Sequence, residues 1–451
     1  MNLPADSRIK MSQLFAFFIP LGTASSLVMI SHVIINATLT RSYNPELVIA
    51  SYSIAMSLAG IIERPAVLLR QTCSALVRDR VSFRAMSSIA LYVLIGSFVF
   101  GLVISYTPLG KWIFLYLFGV DETLLNEILS AFRVLMFVSI FSGLRCLYQG
   151  IIIFNLRTKW LTIGMIIRII GMYLVASYFM NSGRVTGAAA GAIVFLTGMV
   201  IECAVSFLEG RSLIRHVIPE KRQGHDIVHK RQIFQFYRPL VYSSFLSVII
   251  GPFINAMFGK TANMELAVSS YALAYNLALL MQSFFSYMHQ IVINFYRADS
   301  RIVRRFALIM GFFPAILVGV LAYTPIGPWV LQHVMGVKAG TPLMTESLHA
   351  LRIFMLMNFI FPWLDFCNGI VMLRGQTKIM VRSQAANVLV TLLALFALVF
   401  FLPGWNGMIG ALAQSLGFAA ELSVVLYVLR ATAETPFKET GQQSFSRGKM
   451  L

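Results

Sequence analysis

The chain carries two copies of one pattern. Residues Pro20 to Glu202 return as Pro239 to Glu421, at a shift of 219 at most matching positions. Ile35-Asn36-Ala37 returns as Ile254-Asn255-Ala256, Phe132-Arg133 as Leu351-Arg352, and Thr158-Lys159 as Thr377-Lys378. Gly198 and Glu202 return as Gly417 and Glu421. Tyr106-Thr107-Pro108-Leu109-Gly110 returns as Tyr323-Thr324-Pro325-Ile326-Gly327 at a shift of 217, so one connection differs by two residues. Duplicated, very apolar halves are a plan used by secondary transporters, whose substrate path runs between or within the halves.

The 451 residues are 58% hydrophobic and only 12% charged. A soluble chain of this size holds about 25% charge, so the long apolar runs read as membrane helices. Twelve fit: about 14–37, 48–69, 85–106, 128–154, 160–180, 186–208, 234–258, 266–288, 306–323, 349–373, 382–402 and 406–429. The expected class is all-α and polytopic, with two parallel six-helix repeats. The expected parts are an N-terminal segment 1–13, a bundle 14–208, a basic linker 209–233, a second bundle 234–429 and a polar tail 430–451, expected to be disordered. The first apolar run continues for about 24 residues, too long for a cleavable signal core of about 7–15.

The net charge of +18 has a topological explanation. With the N-terminus inside, 26 of the 36 Lys and Arg residues fall at inner loops and ends, and 5 at outer loops. That satisfies the positive-inside rule with both termini cytoplasmic, the plasma membrane being the expected site. It also removes the need for a nucleic-acid partner. An even number of helices per half relates the halves by an axis along the membrane normal, with a central cavity expected between them.

Ionisable residues inside membrane helices cost about 2.5–3.5 kcal/mol on insertion scales, so they are paired or line water. They are Glu63, Arg64, Arg145, Arg168, Glu202, Asp365 and Glu421. Counted from the basic loops, Arg64, Arg168 and Arg145 lie about 9, 14 and 18 Å into the membrane. Their repeat partners are Ser283, Leu364 (for Arg145) and Asn387 (for Arg168), all uncharged. A charge present in one half alone is not explained by the shared fold. Three guanidiniums suit carboxylate or phosphate groups through bidentate bonds. Arg64, Arg145 and Arg168 are therefore the candidate substrate-binding residues, joined by Asn36 and Asn255, which recur near the outer ends of their helices. Glu63, Glu202, Asp365, Glu421 and His32 are candidates for internal ion pairs or for a coupling proton or Na⁺. For any single arginine, pairing with Glu63, Glu202 or Asp365 is the competing structural explanation. Glu202 and Glu421 recur, which favours an architectural role, as do Arg133 and Arg352. His32 also fits a packing histidine, and His289 is expected at the membrane interface.

The four cysteines lack metal-ligand spacing and read as reduced packing residues. No GxxxxGK[ST], HExxH or GxSxG motif occurs. The expectation is a non-enzyme that uses no cofactor or metal.

Val371-Met372-Leu373-Arg374-Gly375-Gln376-Thr377-Lys378 resembles the LRG-x-x-(D)-T-(R/K) inner-loop signature of the MATE-type multidrug and flippase (MOP) superfamily. Leu156-Arg157-Thr158-Lys159 is a degraded copy. Within that superfamily the chain most resembles the progressive ankylosis protein group, through Ile49 to Leu58, Pro239-Leu240, Pro252-Phe253-Ile254-Asn255 and Leu351-Arg352-Ile353-Phe354. The resemblance implies export of small polyanions such as citrate, pyrophosphate or nucleotides. Helix one carries no carboxylate where some cation-coupled members bind their coupling ion. The first functional expectation is a secondary transporter exporting a small organic or phosphate-containing anion by alternating access, its partners the anion and membrane lipids. The alternatives are a lipid or lipid-linked saccharide flippase and an ion-coupled multidrug exporter.

Overall fold

A helix leaves its first N–H and last C=O groups without partners inside the helix; in this chain Asp79, Thr107, Asn263 and Asp299 each accept from a backbone N–H of the first turn that follows them. The computed structural model describes residues 9–39, 41–42, 45–117, 122–182, 187–223, 225, 227, 229–258, 260–261, 263–335, 337 and 339–431. Residues 1–8 and the tail from 432 lie outside them. The described residues are helical, with no strand among them. In chain order the helices are α1 (Met11–Leu39), α2 (Pro45–Leu76), α3 (Arg80–Tyr106), α4 (Pro108–Trp112) running into a π-helical turn (Ile113–Leu117), α5 (Glu122–Leu135), α6 (Val138–Phe154), α7 (Lys159–Asn181) and α8 (Ala188–His216). They continue with α9 (Lys230–Phe258), α10 (Met264–Phe284), α11 (Met288–Phe295), α12 (Ser300–Gly311), α13 (Phe313–Tyr323), α14 (Ile326–His333), α15 (Pro342–Leu373), α16 (Lys378–Phe401) and α17 (Gly407–Ala431).

Ten spans among the described residues are long and apolar enough to cross a membrane. The other two of the twelve expected positions hold α9 and the α10–α11 pair. The outer surface agrees with a lipid environment. On α16 the exposed residues Leu389, Leu393, Phe396 and Phe400 form one apolar stripe. The opposite side of α16 buries Ser383, Asn387, Thr391 and Leu395. Its repeat counterpart α7 exposes Ile163, Ile167, Ile170 and Leu174 while burying Gly164, Arg168 and Met172. A helix apolar outside and polar inside is what lipid as solvent demands.

The chain divides into two compact units, with boundaries inside α1 and α9. The N-terminal unit takes Thr23–Tyr237. The C-terminal unit takes the described residues up to Gly22 and those from Arg238 to Ala431. The first turns of α1 thus pack within the C-terminal unit. There Phe17 meets Phe295 edge-on at 5.1 Å, and Phe18 meets Phe306 at 5.4 Å. In the N-terminal unit the Tyr237 hydroxyl donates to the Pro65 carbonyl at 2.7 Å.

The sequence repeat is a repeat in three dimensions. The helices α6 and α15 end in the same Schellman turn. Arg157 N–H donates to the Ile152 carbonyl and Leu156 N–H to Ile153, both at 3.0 Å. Gln376 N–H donates to Val371 and Gly375 N–H to Met372, again both at 3.0 Å. The left-handed residue is Gly375 (φ 70°) in one half and Leu156 (φ 59°) in the other. Thr107 and Thr324 each donate to the carbonyl four residues back at 2.6 Å. Arg133 lies over the Tyr106 ring at 5.3 Å, and Arg352 over Tyr323 at 5.1 Å. These two arginines have matching aromatic seats in both halves, which is a structural role.

Candidate functional site

Three helices of the N-terminal unit build a buried polar cluster. On α6, Ser142, Arg145 and Gln149 recur at spacings of three and four and so share one face. On α8, Glu202 and Ser206 share a face in the same way. Arg168 comes from α7, whose neighbour α8 carries Gly198 at the crossing; a Cβ there would meet Met172 and Arg168. Glycine therefore lets the two helices approach closely enough for Arg168 to reach Glu202.

Glu202 is the hub. Its Oε2 accepts from Arg145 Nη1 at 2.8 Å and from Arg168 Nη1 at 2.7 Å. Its Oε1 accepts from Gln149 Nε2 at 3.0 Å. Arg145 Nη2 donates to Ser142 Oγ at 3.2 Å, and the Ser142 hydroxyl donates to Glu63 Oε1 on α2. Gln149 accepts from Arg70 Nη1 at 3.2 Å. One hydrogen-bonded chain thus holds three guanidiniums and two carboxylates. Arg168 is only 2% exposed and Glu202 3%. Both buried guanidiniums keep an unused donor: the Nε–H groups of Arg145 and Arg168 are buried and make no hydrogen bond among the described residues. Arg168 also lies over the Phe195 ring at 5.3 Å. His32 stacks on the same ring at 6.0 Å. The Tyr52 hydroxyl, in the same unit, is buried without a hydrogen-bond partner among the described residues.

The structure brings Arg145 and Arg168 together and leaves Arg64 apart. Arg64 is exposed and has no hydrogen bond or ion pair among the described residues. Its position in α2 turns it away from the Glu63 face, because adjacent residues on a helix point about 100° apart. The side chains of Asn36 and Asn255 lie outside what the structure describes. Sequence reasoning missed Ser142, Gln149, Ser206 and Arg70. The three- and four-residue spacings around Arg145 and Glu202 were the available signal; Arg70 was counted with the loop charges.

The C-terminal unit offers a different arrangement at the repeated positions. Arg168 is replaced by Asn387 and Glu202 by Glu421, and the contact survives: Asn387 Nδ2 donates to Glu421 Oε2 at 2.6 Å. Gly417 repeats Gly198, and a Cβ there would overlap Asn387 and Thr391. Asp365 engages His289 rather than an arginine. Its Oδ2 accepts the His289 backbone N–H at 2.9 Å, and its Oδ1 lies 2.9 Å from Nδ1. A carboxylate from α15 thereby closes an open N–H of the short helix α11. His289 is consequently buried at the break between α10 and α11; Asp365 supplies the partner that makes this tolerable.

Outside the membrane spans, the α2–α3 turn is tied to the linker. Asp79 caps α3 by accepting from Ser82 N–H at 2.7 Å, and its Oδ2 accepts Arg222 N–H at 3.1 Å. Burial pushes its carboxyl up, but the Ser82 and Arg222 hydrogen bonds outweigh this and hold it below its usual value. Arg80 donates to the Ile214 and Arg215 carbonyls at 2.9 and 2.6 Å, closing the end of α8. His225 is held below its ordinary value, first by burial, with Arg78 and Arg222 adding to the effect and Asp79 opposing it.

No family model and no curated protein matches the sequence. Solved structures do match its fold. A MOP-superfamily transporter from Pyrococcus furiosus, described as having a binding pocket of reverse polarity, superposes with a TM-score of 0.74. Identity is 14%, over 94% of this chain and 96% of that one. An outward-facing multidrug resistance MATE transporter of the same superfamily also gives 0.74, at 15% identity over 94% and 97% of the two chains. The Vibrio cholerae MATE transporter VcmN in its bent form gives 0.72, at 15% identity over 93% and 97%. The fold is therefore that of the MATE/MOP transporters, carried by an integral membrane protein of apolar helices.

Proposed function

We propose that this chain is a secondary transporter, not an enzyme, and that it moves a small organic or phosphate-containing anion by alternating access. The observation that carries the reading is the Glu202 hub, where two buried guanidiniums share a single carboxylate oxygen and each keeps an unused Nε–H. Burying charge beyond what the fold needs is costly, and the repeat shows that the fold does not need it: the same helix pair closes with Asn387 in the second half. The surplus donors suit a carboxylate or phosphate ligand, which arginine engages through two parallel bonds. Glu202 holds the guanidiniums while the site is empty, and an incoming anion displaces it from one or both. Arg64, exposed on α2, serves as an outlying positive charge on the approach. The Pyrococcus furiosus neighbour, described by the reverse polarity of its pocket and a different function suggested by it, is compatible with pockets of differing polarity on this fold.

The test is transport into liposomes with citrate, pyrophosphate and a nucleotide on one arm and organic cations on the other. Loss of a charged hydrogen bond costs about 1.5–3 kcal/mol. Arg168→Ala and Arg145→Ala should thus weaken anion uptake about tenfold or more, with lysine restoring only part of it. Equal anion transport by folded alanine variants would overturn the reading. Cation transport that ignores these arginines would favour the multidrug alternative, to which the second neighbour described above belongs.

A further inference from the structure

Away from the polar cluster, the two halves differ most clearly where α12 and α13 stand in place of α3. At the shift of 217 that carries Tyr106 to Tyr323, Leu91, Ile95 and Val99 return as Leu308, Phe312 and Ile316. All six are exposed, so both halves turn the same apolar stripe outward. Arg84 returns as Arg301, but Ser87 and Ser88 stand where Arg304 and Arg305 do. The two serines bond back to their own helix: Ser87 Oγ donates to the Phe83 carbonyl at 2.8 Å, and Ser88 Oγ to that of Arg84 at 3.1 Å. Arg301, Arg304 and Arg305 are instead exposed. Their spacings of three and four put them on the face that continues into Leu308, Phe312 and Ile316. Arg304 is held in place: its Nε and Nη2 donate to the Tyr296 hydroxyl at 3.3 and 2.9 Å, and its guanidinium lies over that ring at 5.8 Å. Tyr296 itself is 8% exposed. The side chains of Arg301 and Arg305 make no hydrogen bond or ion pair among the described residues. Asp299, at the start of the same helix, accepts the Arg301 and Ile302 N–H groups as the cap of α12.

We propose that this face of the C-terminal unit binds one anionic phospholipid, its headgroup on Arg301, Arg304 and Arg305 and an acyl chain along Leu308, Phe312 and Ile316. The span Ser300–Tyr323 has 24 residues, about 36 Å of helix against a hydrocarbon core of about 30 Å. Its first turn therefore reaches the headgroup layer, and the long arginine stems carry the charges of Arg304 and Arg305 back to the same depth. Membrane orientation calls for positive charge near a helix end. It does not call for that charge on the lipid-facing stripe, nor for a buried tyrosine fixing one guanidinium. Arginine engages two phosphate oxygens at once. A phosphatidylcholine headgroup brings its own cation, so three guanidiniums on one face select a lipid with net negative charge. Above them Phe312 packs against Phe359 of α15 at 5.6 Å, and both rings are exposed, which gives the acyl chain an apolar bed. The occupant is a lipid of the surrounding membrane, so the proposal stands apart from the identity of the transported substrate.

Native mass spectrometry of the purified full chain in detergent tests this, with phosphatidylglycerol and phosphatidylcholine of the same acyl chains added in turn. The wild type should take up one phosphatidylglycerol saturably, before any further lipid and in preference to phosphatidylcholine. Because charge-assisted bonds to the headgroup are lost, the double variant Arg304→Gln, Arg305→Gln should weaken that binding by about tenfold or more. Arg84→Gln, the equivalent change on α3, should leave it unchanged. Arg304→Lys separates a built site from diffuse attraction: the charge stays, but the bonds that fix it on Tyr296 do not, and binding should weaken. All these positions are exposed, so the variants fold. Soluble glycerol phosphate, a headgroup without chains, should fail to displace the lipid. Equal uptake of the two lipids, full binding by the double variant, an equal loss in Arg84→Gln, undiminished binding by Arg304→Lys, or displacement by glycerol phosphate would each overturn the proposal.

Discussion

The pairs Arg168–Glu202 and Asn387–Glu421 occupy equivalent places on equivalent helices, at 2.7 and 2.6 Å. The geometry is inherited by both halves, and the charge is not. The shared part, a carboxylate on one helix bonded to the next across a glycine, is architecture. The unshared part, the guanidiniums of Arg145 and Arg168, is where specialisation shows. In a duplicated chain, one half serves as the internal control for the other.

The sharpest way to break this comparison is to remove the two carboxylates in turn. Glu202→Leu leaves two guanidiniums buried without their anion, and breaking a buried pair from one side costs about 3–5 kcal/mol. Glu421→Leu leaves a neutral amide unpaired, for about 1–3 kcal/mol. Thermal unfolding in detergent should therefore show the first variant much the less stable. Equal losses would mean that Glu202 is not the hub of the cluster.

How much of this was legible beforehand follows the same division. Repetition at a fixed shift gave the helix order, and lone charges in apolar runs pointed to Arg145, Arg168 and Glu202. Which partner each charge chooses depends on the rotation and crossing of α6, α7 and α8, which no local pattern states. Hence Arg64 was grouped with two arginines that it does not join, and Asp365 was offered to an arginine when its partner is His289. The Ser142, Arg145 and Gln149 spacing was present in the sequence, but only Glu202 on the facing helix gives it meaning.

A smaller effect tests the repeat at its turns. Leu156 holds the left-handed position that glycine holds at 375, and a side chain there costs about 1–2 kcal/mol. Leu156→Gly should therefore stabilise the protein by about 1 kcal/mol, less whatever glycine adds to the unfolded chain's entropy. Gly375→Leu should destabilise it by a similar amount. Chemical unfolding of the two variants reads the sign directly; a loss of stability in both would show that the turns are not equivalent.

The smallest effect concerns the linker. Asp79 and His225 are both held below their ordinary values in the folded protein. The unfolded state then binds more protons, so the stability these groups contribute is present above their unfolded values and is lost as pH falls. For His225 that loss begins below about 6.5; for Asp79 it begins only in the carboxylate range. Protection of the amides of residues 217–223, with the intrinsic pH dependence of exchange divided out, should fall from pH 7.5 to 5.5, and His225→Gln should flatten the change. Protection independent of pH would remove His225 from the tie between the α2–α3 turn and the linker.

The central claim is that Glu202 competes with the substrate anion for Arg145 and Arg168. Titration calorimetry of pyrophosphate or citrate into purified wild type and Glu202→Gln measures that competition. With the carboxylate neutralised, both guanidiniums are left for the ligand, and the account predicts binding tighter by about tenfold or more, a change of at least about 1.4 kcal/mol. Adding Arg168→Ala to Glu202→Gln should abolish the gain. A folded Glu202→Gln protein that binds these anions no better than wild type would contradict the claim and reduce the cluster to a structural ion pair.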